Sequence, residues 1–206
     1  MCRDLIAEVT DLFDGPRFFH LGMDEETIGH QQFFEYAQVR QFDLWWHDFF
    51  FLVKQVEKAG VRAWIWSDYV WDHREEFFKR MPRSVLQSNW HYQQVTKRMR
   101  GARAYLDLEA HGYDQVPTGC NYYAAENFEK TVSFCKRNIA SRRLLGFMQT
   151  TWAPTLEPFR RRHMDAIECV ARARSERLRG TRTPVTGLAI DRLGTFGRSR
   201  AGRPRK

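Results

Sequence analysis

The sequence of 206 residues lacks long apolar runs and contains few cysteines. No segment approaches the roughly 20 consecutive apolar residues of a membrane-spanning helix, and the first residues show no apolar core of a signal peptide. The four cysteines are widely separated and include no C-x-x-C pair, so their spacing predicts neither a zinc site nor a disulfide framework. We therefore expect free thiols, no metal, no other cofactor and no membrane partner.

Most of the chain also lacks an excess of positive charge, although the formal net charge is +8. Residues 171–206 hold 11 basic and 2 acidic side chains, which leaves 22 basic and 23 acidic side chains in residues 1–170. A nucleic-acid-binding surface needs cations on the folded part or on a dedicated arm, so this division argues against a nucleic-acid partner. The terminal segment has no apolar periodicity, and we predict a folded domain over 1–175 and a disordered Arg-rich tail over 176–206. A nucleic-acid-binding arm is the alternative interpretation of the tail.

The composition as a whole is that of a globular protein, with 43% hydrophobic and 15% aromatic residues. Apolar periodicity predicts helices over residues 5–13, 42–58, 94–110, 127–139 and 157–174. Short apolar runs predict strands over residues 17–22, 61–66, 84–90, 113–118 and 144–151. Strands that alternate with helices indicate an α/β fold of βα units around a parallel sheet, which carries its functional groups at the carboxyl ends of the strands.

Residues suited to chemistry or to sugar binding follow every predicted strand. In chain order they are His20, Asp24 and Glu25, then Trp66 and Asp68, then Trp90 and His91, then Asn121, Tyr122 and Tyr123, and finally Trp152. Because indole rings stack on sugar faces and carboxylates accept bonds from hydroxyls, this combination is typical of a carbohydrate pocket. The alternative for any single tryptophan is that it fills the core, and Trp64 is a rival of Trp66 for the pocket position.

The segment Phe18-Phe19-His20-Leu21-Gly22-Met23-Asp24-Glu25 resembles the His-x-Gly-Gly-Asp-Glu signature of glycoside hydrolase family 20, the β-N-acetylhexosaminidases. Met23 stands at the second glycine position of that signature. The resemblance extends over about residues 1–175 and implies the carboxyl-terminal part of a (β/α)8 TIM barrel, with about five βα units and the first three strands absent. It also implies that the partner is a glycan carrying a terminal N-acetylhexosamine.

The resemblance implies a role for each residue of the acidic segment. Glu25 would be the general acid and later the general base, and Asp24 would orient the 2-acetamido group whose oxygen attacks the anomeric carbon, with retention. His20 would brace the acidic loop. Neighbours on a strand point to opposite faces, so Asp24 and Glu25 can serve one substrate only past the strand end, and Gly22 permits the necessary turn. A solvated acidic loop is the alternative suggested by the acidic residues alone.

The resemblance assigns the walls of the pocket to Trp66, Trp90 and Trp152. Asp68 is a candidate for binding a sugar hydroxyl. A residue that supports the acetamido oxygen is expected after the fourth strand, where Asn121, Tyr122 and Tyr123 are candidates and Tyr122 is our choice.

The chain departs from the family pattern at two places. Pro154 stands where the family often carries an acidic residue that holds sugar hydroxyls. Tyr105-Leu106-Asp107 superficially matches a seventh-strand Tyr-x-Asp of the family, but the surrounding pattern predicts a helix there. A catalytically inactive barrel remnant, or a carbohydrate-binding protein, is therefore the alternative to an active hydrolase.

Overall fold

The computed structural model describes residues 1–26 and 42–175, which contain six α-helices and five β-strands. The helices are α1 (Cys2–Leu12), α2 (Asp43–Lys58), α3 (Arg74–Arg80), α4 (Arg100–Ala110), α5 (Asn127–Asn138) and α6 (Arg160–Ser175). The strands are β1 (Phe18–His20), β2 (Arg62–Trp66), β3 (Leu86–Ser88), β4 (Thr118–Cys120) and β5 (Met148–Thr150). Two single 3₁₀ turns lie at Asp68–Trp71 and Glu157–Phe159. The predicted tail, residues 176–206, lies outside the described residues.

Helix α2 shows how the sequence pattern produces a buried face. Its apolar residues Trp45, Phe49, Val53 and Val56 recur every three or four positions and are almost completely buried, as expected for one stripe of a helix packed on a sheet. Gly60 takes a φ of 75° just after the helix, a left-handed conformation that glycine adopts without a steric penalty. The chain therefore turns from α2 directly into β2.

All strand pairs in the described residues are parallel, which confirms that helices alternate with parallel strands. One sheet has the order β1-β2-β3, and β4 pairs with β5 in a second, two-stranded sheet. Single parallel bridges join Gln115 to Gln87 on one side and to Leu144 on the other, so neighbours follow chain order across the junction. The described strands do not close into a barrel.

The last two strands are shorter than predicted because their pairing contains a bulge. The N–H of Leu145 donates to the carbonyl of Gln115, and the N–H of Met148 donates to the carbonyl of Pro117, both at 3.0 Å. The step from Leu145 to Met148 on one strand is three residues, whereas the step from Gln115 to Pro117 on the other is two. This extra residue interrupts the regular hydrogen bonding between the strands. Regular pairing begins only at Thr118, whereas the sequence predicted a strand over 113–118.

The helices agree with the sequence predictions only in part. Residues 94–99 were predicted as helical, but they form turns, and α4 begins at Arg100. The sequence did not predict the short helix α3 or the 3₁₀ turn at Asp68–Trp71. Tyr105 and Asp107 do lie within α4, so the prediction of helix at Tyr105-Leu106-Asp107 is confirmed.

The core lies between the sheet and the helices. Trp45 and Trp46 are fully buried, and Trp45 stacks on Tyr69 with ring centroids 4.2 Å apart. A smaller cluster between α4 and α5 contains Tyr105 and Phe134. Trp45 and Trp46, both on α2 and neither of them a candidate for the pocket, thus fill the core. Met23, in the loop after β1, and Tyr69, in the 3₁₀ turn after β2, belong to the same cluster.

Candidate functional site

The acidic pair follows β1 on a loop with an unusual backbone. β1 ends at His20, and Gly22, Met23 and Glu25 then adopt φ values of 76°, 75° and 55°. These left-handed conformations turn the chain after every one or two residues instead of continuing the alternation of a strand. As a result, Asp24 and Glu25 both line the same cleft, which confirms the prediction that they lie past the strand end.

Met23 is held in a conformation that favours glycine. A non-glycine residue at φ 75° carries a penalty of order 1 kcal/mol, and burial of the side chain offsets it. Met23 is 5% exposed and packs in the main core cluster. The residue that departs from the family signature therefore keeps the backbone conformation of a glycine and anchors the loop to the core.

His20 braces this loop from below. Its Nδ1 accepts a hydrogen bond from the N–H of Gly22 at 3.0 Å, and its ring lies edge-on to Trp64 and Trp66, each with a centroid distance of 4.7 Å. Burial lowers the pKa of His20 to about 4, so the imidazole is neutral at physiological pH. A neutral ring that accepts at Nδ1 carries its proton on Nε2, and no described residue hydrogen-bonds that atom.

A cleft of about 570 Å³ opens at the carboxyl ends of the strands. Eight of the residues singled out in the sequence line it: Asp24, Glu25, Trp66, Trp90, His91, Tyr122, Tyr123 and Trp152. The rings of Trp66 and Trp152 approach each other with centroids 6.2 Å apart, and Trp152 leaves 54% of its surface exposed. The cleft therefore combines two carboxylates with an accessible aromatic wall.

The structure separates two of the alternatives that the sequence left open. Trp64 packs on His20 and Phe18 and does not line the cleft, whereas Trp66 does. Asn121 bonds the carbonyl of Arg162 and the side chain of Gln149. Asn121 is thus engaged outside the cleft. Tyr122 and Tyr123 both line it, so the choice of Tyr122 stays a prediction.

Asp68 differs from the other predicted residues in its surroundings. One carboxylate oxygen accepts the N–H of Glu25 at 2.8 Å, and the other accepts Nε1–H of Trp90 at 3.2 Å. Burial, together with a smaller effect of the nearby Asp24 carboxylate, raises the pKa of Asp68 to about 7 against the lowering effect of its hydrogen-bond donors. Asp68 lines a smaller cleft of about 180 Å³ beside the main one. Both oxygens have protein donors, and its predicted contact with a sugar hydroxyl stays a prediction.

Sequence reasoning missed Tyr92, which joins two of the predicted walls. Its ring stacks on Trp90 at 5.2 Å, and its hydroxyl oxygen accepts Nε1–H of Trp152 at 2.8 Å. Burial raises the pKa of Tyr92 to about 12, so the phenol stays neutral. Tyr92 comes only two residues after Trp90 in the sequence, and that position after a strand was an available signal.

A second missed wall residue is Trp71, at the end of the 3₁₀ turn that follows β2. Trp71 meets Trp90 edge-on at 4.5 Å and donates its Nε1–H to the side-chain oxygen of Asn89 at 2.8 Å. The guanidinium of Arg100 lies over its ring at 5.4 Å and also pairs with Asp72. This side of the cleft therefore carries an aromatic ring and a cation whose charge is balanced by a neighbouring carboxylate.

Neither metal ligands and membrane-spanning helices in the described residues nor matches to known proteins add to this description of the cleft. Within residues 1–26 and 42–175, no three or more His, Cys, Asp or Glu side chains are grouped as a metal site would need. None of the described helices has the length and apolar character needed to cross a membrane. No protein-family model matches the chain, and no curated protein matches it.

Proposed function

We propose that this chain is the carboxyl-terminal part of a glycoside hydrolase family 20 barrel and hydrolyses terminal N-acetylhexosamine from glycans. The observation that carries the proposal is the location of Asp24 and Glu25 past the end of β1, in one cleft with Trp66, Trp90 and Trp152. An acid pair within an aromatic cleft fits a sugar, which presents hydroxyls at its edge and apolar C–H groups on its faces.

The fold supports this proposal at a coarser level. Five parallel strands alternate with helices, and their pairing follows chain order, which is the order of a (β/α)8 barrel. In such barrels the reacting groups lie at the carboxyl ends of the strands, where the cleft is found here. A complete barrel has eight strands, so the proposed domain is a partial one.

The proposed reaction divides the work between the two carboxyl groups. Glu25 gives its proton to the glycosidic oxygen as the bond to the anomeric carbon breaks, while the substrate's acetamido oxygen forms a new bond to that carbon. Asp24 accepts the acetamido N–H and stabilises the positive charge that develops on the ring so formed. Glu25 then removes a proton from water, which attacks the anomeric carbon and restores the acetamido group with retained configuration.

The aromatic residues have a separate role in this scheme. Trp66 and Trp152 converge near the acidic pair, while Trp90 and Tyr92 form a stacked face. These rings exclude water from the sugar and hold the acetamido group close to the anomeric carbon. The volume of the cleft lies in the range of ordinary small-molecule sites and accommodates a sugar with part of its leaving group.

The test combines ligand binding with hydrolysis. Thermal unfolding is recorded with and without an N-acetylglucosamine thiazoline, which mimics the cyclised intermediate and raises the midpoint if it binds the folded chain. Hydrolysis of a chromogenic N-acetylglucosaminide is then compared among the unmodified chain, Glu25→Gln and Glu75→Gln. Glu75 is an exposed residue of α3 and serves as the control.

We expect Glu25→Gln to lose about 100-fold to 10,000-fold in kcat, the range for removal of a general acid, and to retain thiazoline binding. Glu75→Gln should match the unmodified chain. Binding without hydrolysis in the unmodified chain would favour the inactive, carbohydrate-binding alternative. Cooperative unfolding with neither binding nor hydrolysis would overturn the proposal.

A further inference from the structure

The carboxylate of Asp68 connects three successive loops at the carboxyl ends of the strands. Asp68 itself opens the 3₁₀ turn after β2. Its two oxygens accept the backbone N–H of Glu25, in the loop after β1, and the indole N–H of Trp90, in the loop after β3. These donors lie 43 and 22 residues away in sequence, so the contacts exist only in the folded chain.

We propose that Asp68 is a positioning residue that fixes the backbone of Glu25 and the ring of Trp90 relative to each other. This inference rests on the proposed function for its catalytic consequence. The carboxylate touches neither the glycosidic oxygen nor the anomeric carbon in the proposed scheme, and it acts through the two residues that it holds.

The backbone of Glu25 needs such a partner. At φ 55° this residue lies in a region that a glutamate rarely adopts, so a competing, relaxed conformation is available to the loop. The bond from its N–H to the carboxylate of Asp68 is 2.8 Å long and involves a charged acceptor, which makes it one of the stronger kinds of hydrogen bond. Losing it would let the loop relax and move the Glu25 carboxyl group away from the glycosidic oxygen.

The carboxylate of Asp68 also fixes the orientation of the Trp90 ring, which ring stacking alone would leave free to rotate. Its ring contacts Trp71 edge-on and Tyr92 face-on. Both contacts tolerate rotation of the indole within its plane, because ring stacking has a broad geometry. The hydrogen bond from Nε1 to Asp68 removes that freedom, because it fixes which edge of the indole faces this carboxylate.

This arrangement has a consequence for pH dependence. The pKa of Asp68 is raised to about 7, chiefly by burial, so this carboxyl group changes its charge near neutral pH. A protonated carboxyl group is a weaker acceptor and must direct its own O–H away from one of the two donors. We therefore expect the contacts with Glu25 and Trp90 to form above about pH 7 and to weaken below it.

The charged and titratable groups around Asp68 come from three elements. They are Asp24, Glu25 and Glu26 after β1, Asp72 and His73 after the 3₁₀ turn, and Arg100 at the start of α4. Asp24 is the neighbouring charge that raises the pKa of Asp68, and Arg100 is paired with Asp72. Asp68→Asn removes one titration from this set and leaves the others in place.

The experiment measures two profiles between pH 5 and 9 in the unmodified chain, Asp68→Asn, Asp68→Glu and the surface control Asp43→Asn. The first profile is kcat/KM for the chromogenic N-acetylglucosaminide, and the second is tryptophan fluorescence without substrate. Asp43 is 93% exposed at its side chain and pairs with Arg80 on the protein surface, so its variant should match the unmodified chain in both profiles.

We expect the unmodified chain to show a rise in kcat/KM and a change in fluorescence, both with midpoints near pH 7. Asp68→Asn should lose both transitions, with kcat/KM lowered above pH 7 by between about tenfold and 100-fold, the effect of a misplaced catalytic group. Asp68→Glu should restore the transitions at reduced amplitude. A purely structural defect would instead lower kcat/KM by the same factor at every pH.

The two proposals fail in different ways. Hydrolysis with identical pH profiles in the unmodified chain and Asp68→Asn would overturn the positioning role and leave the proposed function intact. A fluorescence transition near pH 7 that Asp68→Asn removes, in a chain that neither hydrolyses nor binds the sugar, would support the contacts of Asp68 and overturn the proposed function. If Asp68→Asn does not fold, Trp90→Phe replaces it: removal of one donor should move the fluorescence midpoint to higher pH, and an unmoved midpoint would overturn the inference.

Discussion

Asn127 makes three hydrogen bonds, two of them buried and one partly buried, that join two loops of the cleft. This first residue of α5 is 1% exposed. Its side-chain oxygen accepts the N–H of Cys120 at 2.9 Å, and its amide nitrogen donates to the carbonyls of His91 and Gln93 at 2.9 and 2.8 Å. The end of β4 is thereby tied to the segment that carries Tyr92 into the cleft. Replacing Asn127 by alanine is therefore a direct test of how this wall is held.

The expected loss in the free energy of unfolding can be worked out from the groups that lose their hydrogen-bond partner. Asn127→Ala leaves two carbonyls and one N–H without their partner, and an unsatisfied buried group costs about 1–3 kcal/mol. The bond to Gln93 is only partly buried, so water can replace it at the lower end of that range. We expect a loss of about 3–5 kcal/mol in the free energy of unfolding, which is a large share of the roughly 5–15 kcal/mol typical of folded domains.

The assay is urea unfolding followed by tryptophan fluorescence, with Asn138→Ala as the matched control. Asn138 is the last residue of the same helix and donates one hydrogen bond, to the carbonyl of Phe134 at 2.8 Å. Its replacement should lower the free energy of unfolding by less than about 1 kcal/mol, the net contribution of one ordinary hydrogen bond. Equal losses in the two variants would refute the reasoning, since they differ chiefly in the number and burial of the bonds removed.

Two further predictions concern the left-handed backbone at Met23 and the room for a side chain at Gly101, and both are tested by measuring free energies of unfolding. Met23→Ala and Met23→Gly each remove a buried side chain at a loss of about 2–4 kcal/mol, but the glycine variant should be more stable than the alanine variant by about 1 kcal/mol because φ is 75°. The reverse order would contradict the left-handed backbone at this position. Gly101→Ala would bring a Cβ to 2.6 Å from Nδ1 of His91, so it should lose about 1–3 kcal/mol despite the better helix propensity of alanine. Gly146→Ala, which meets no atom within 4 Å, should change stability by less than about 0.5 kcal/mol, and equal effects at the two glycines would exclude the predicted clash.

The parts of the site that depend on neighbouring residues could be predicted from the sequence. The turn after β1 needs a glycine at its start, and Gly22 directly follows the apolar run that forms the strand. Asp24 and Glu25 follow closely after Gly22, so they must lie just past the carboxyl end of β1. The helix at Tyr105 could also be predicted from neighbouring residues alone, because the apolar residues around it have helical spacing.

The parts that depend on distant contacts could not be predicted. Asp68 was expected at a sugar hydroxyl because it follows a strand end, yet its partners come from two other loops. Tyr92 gains its position from a bond to Trp152, 60 residues away. The helix predicted from residue 94 begins only at Arg100, and the carbonyls of His91 and Gln93 just before residue 94 accept long-range bonds from Asn127, which local propensity does not register. Tertiary contacts override propensity in such segments.

The cleft depends more on these side-chain bonds than on the sheet beneath it. Four of the five strands have only three residues, and the backbone bonds between strands reach only the first residues of the loops, such as Gly22, whose carbonyl accepts the N–H of Trp66. His20, Asp68 and Asn127 each hold a loop by its backbone, and two of the three reach across to a neighbouring strand end. Loops held by a few polar bonds open at a lower free energy than the core below them. Substitutions at these three residues should therefore impair ligand binding under milder conditions than those that unfold the helices.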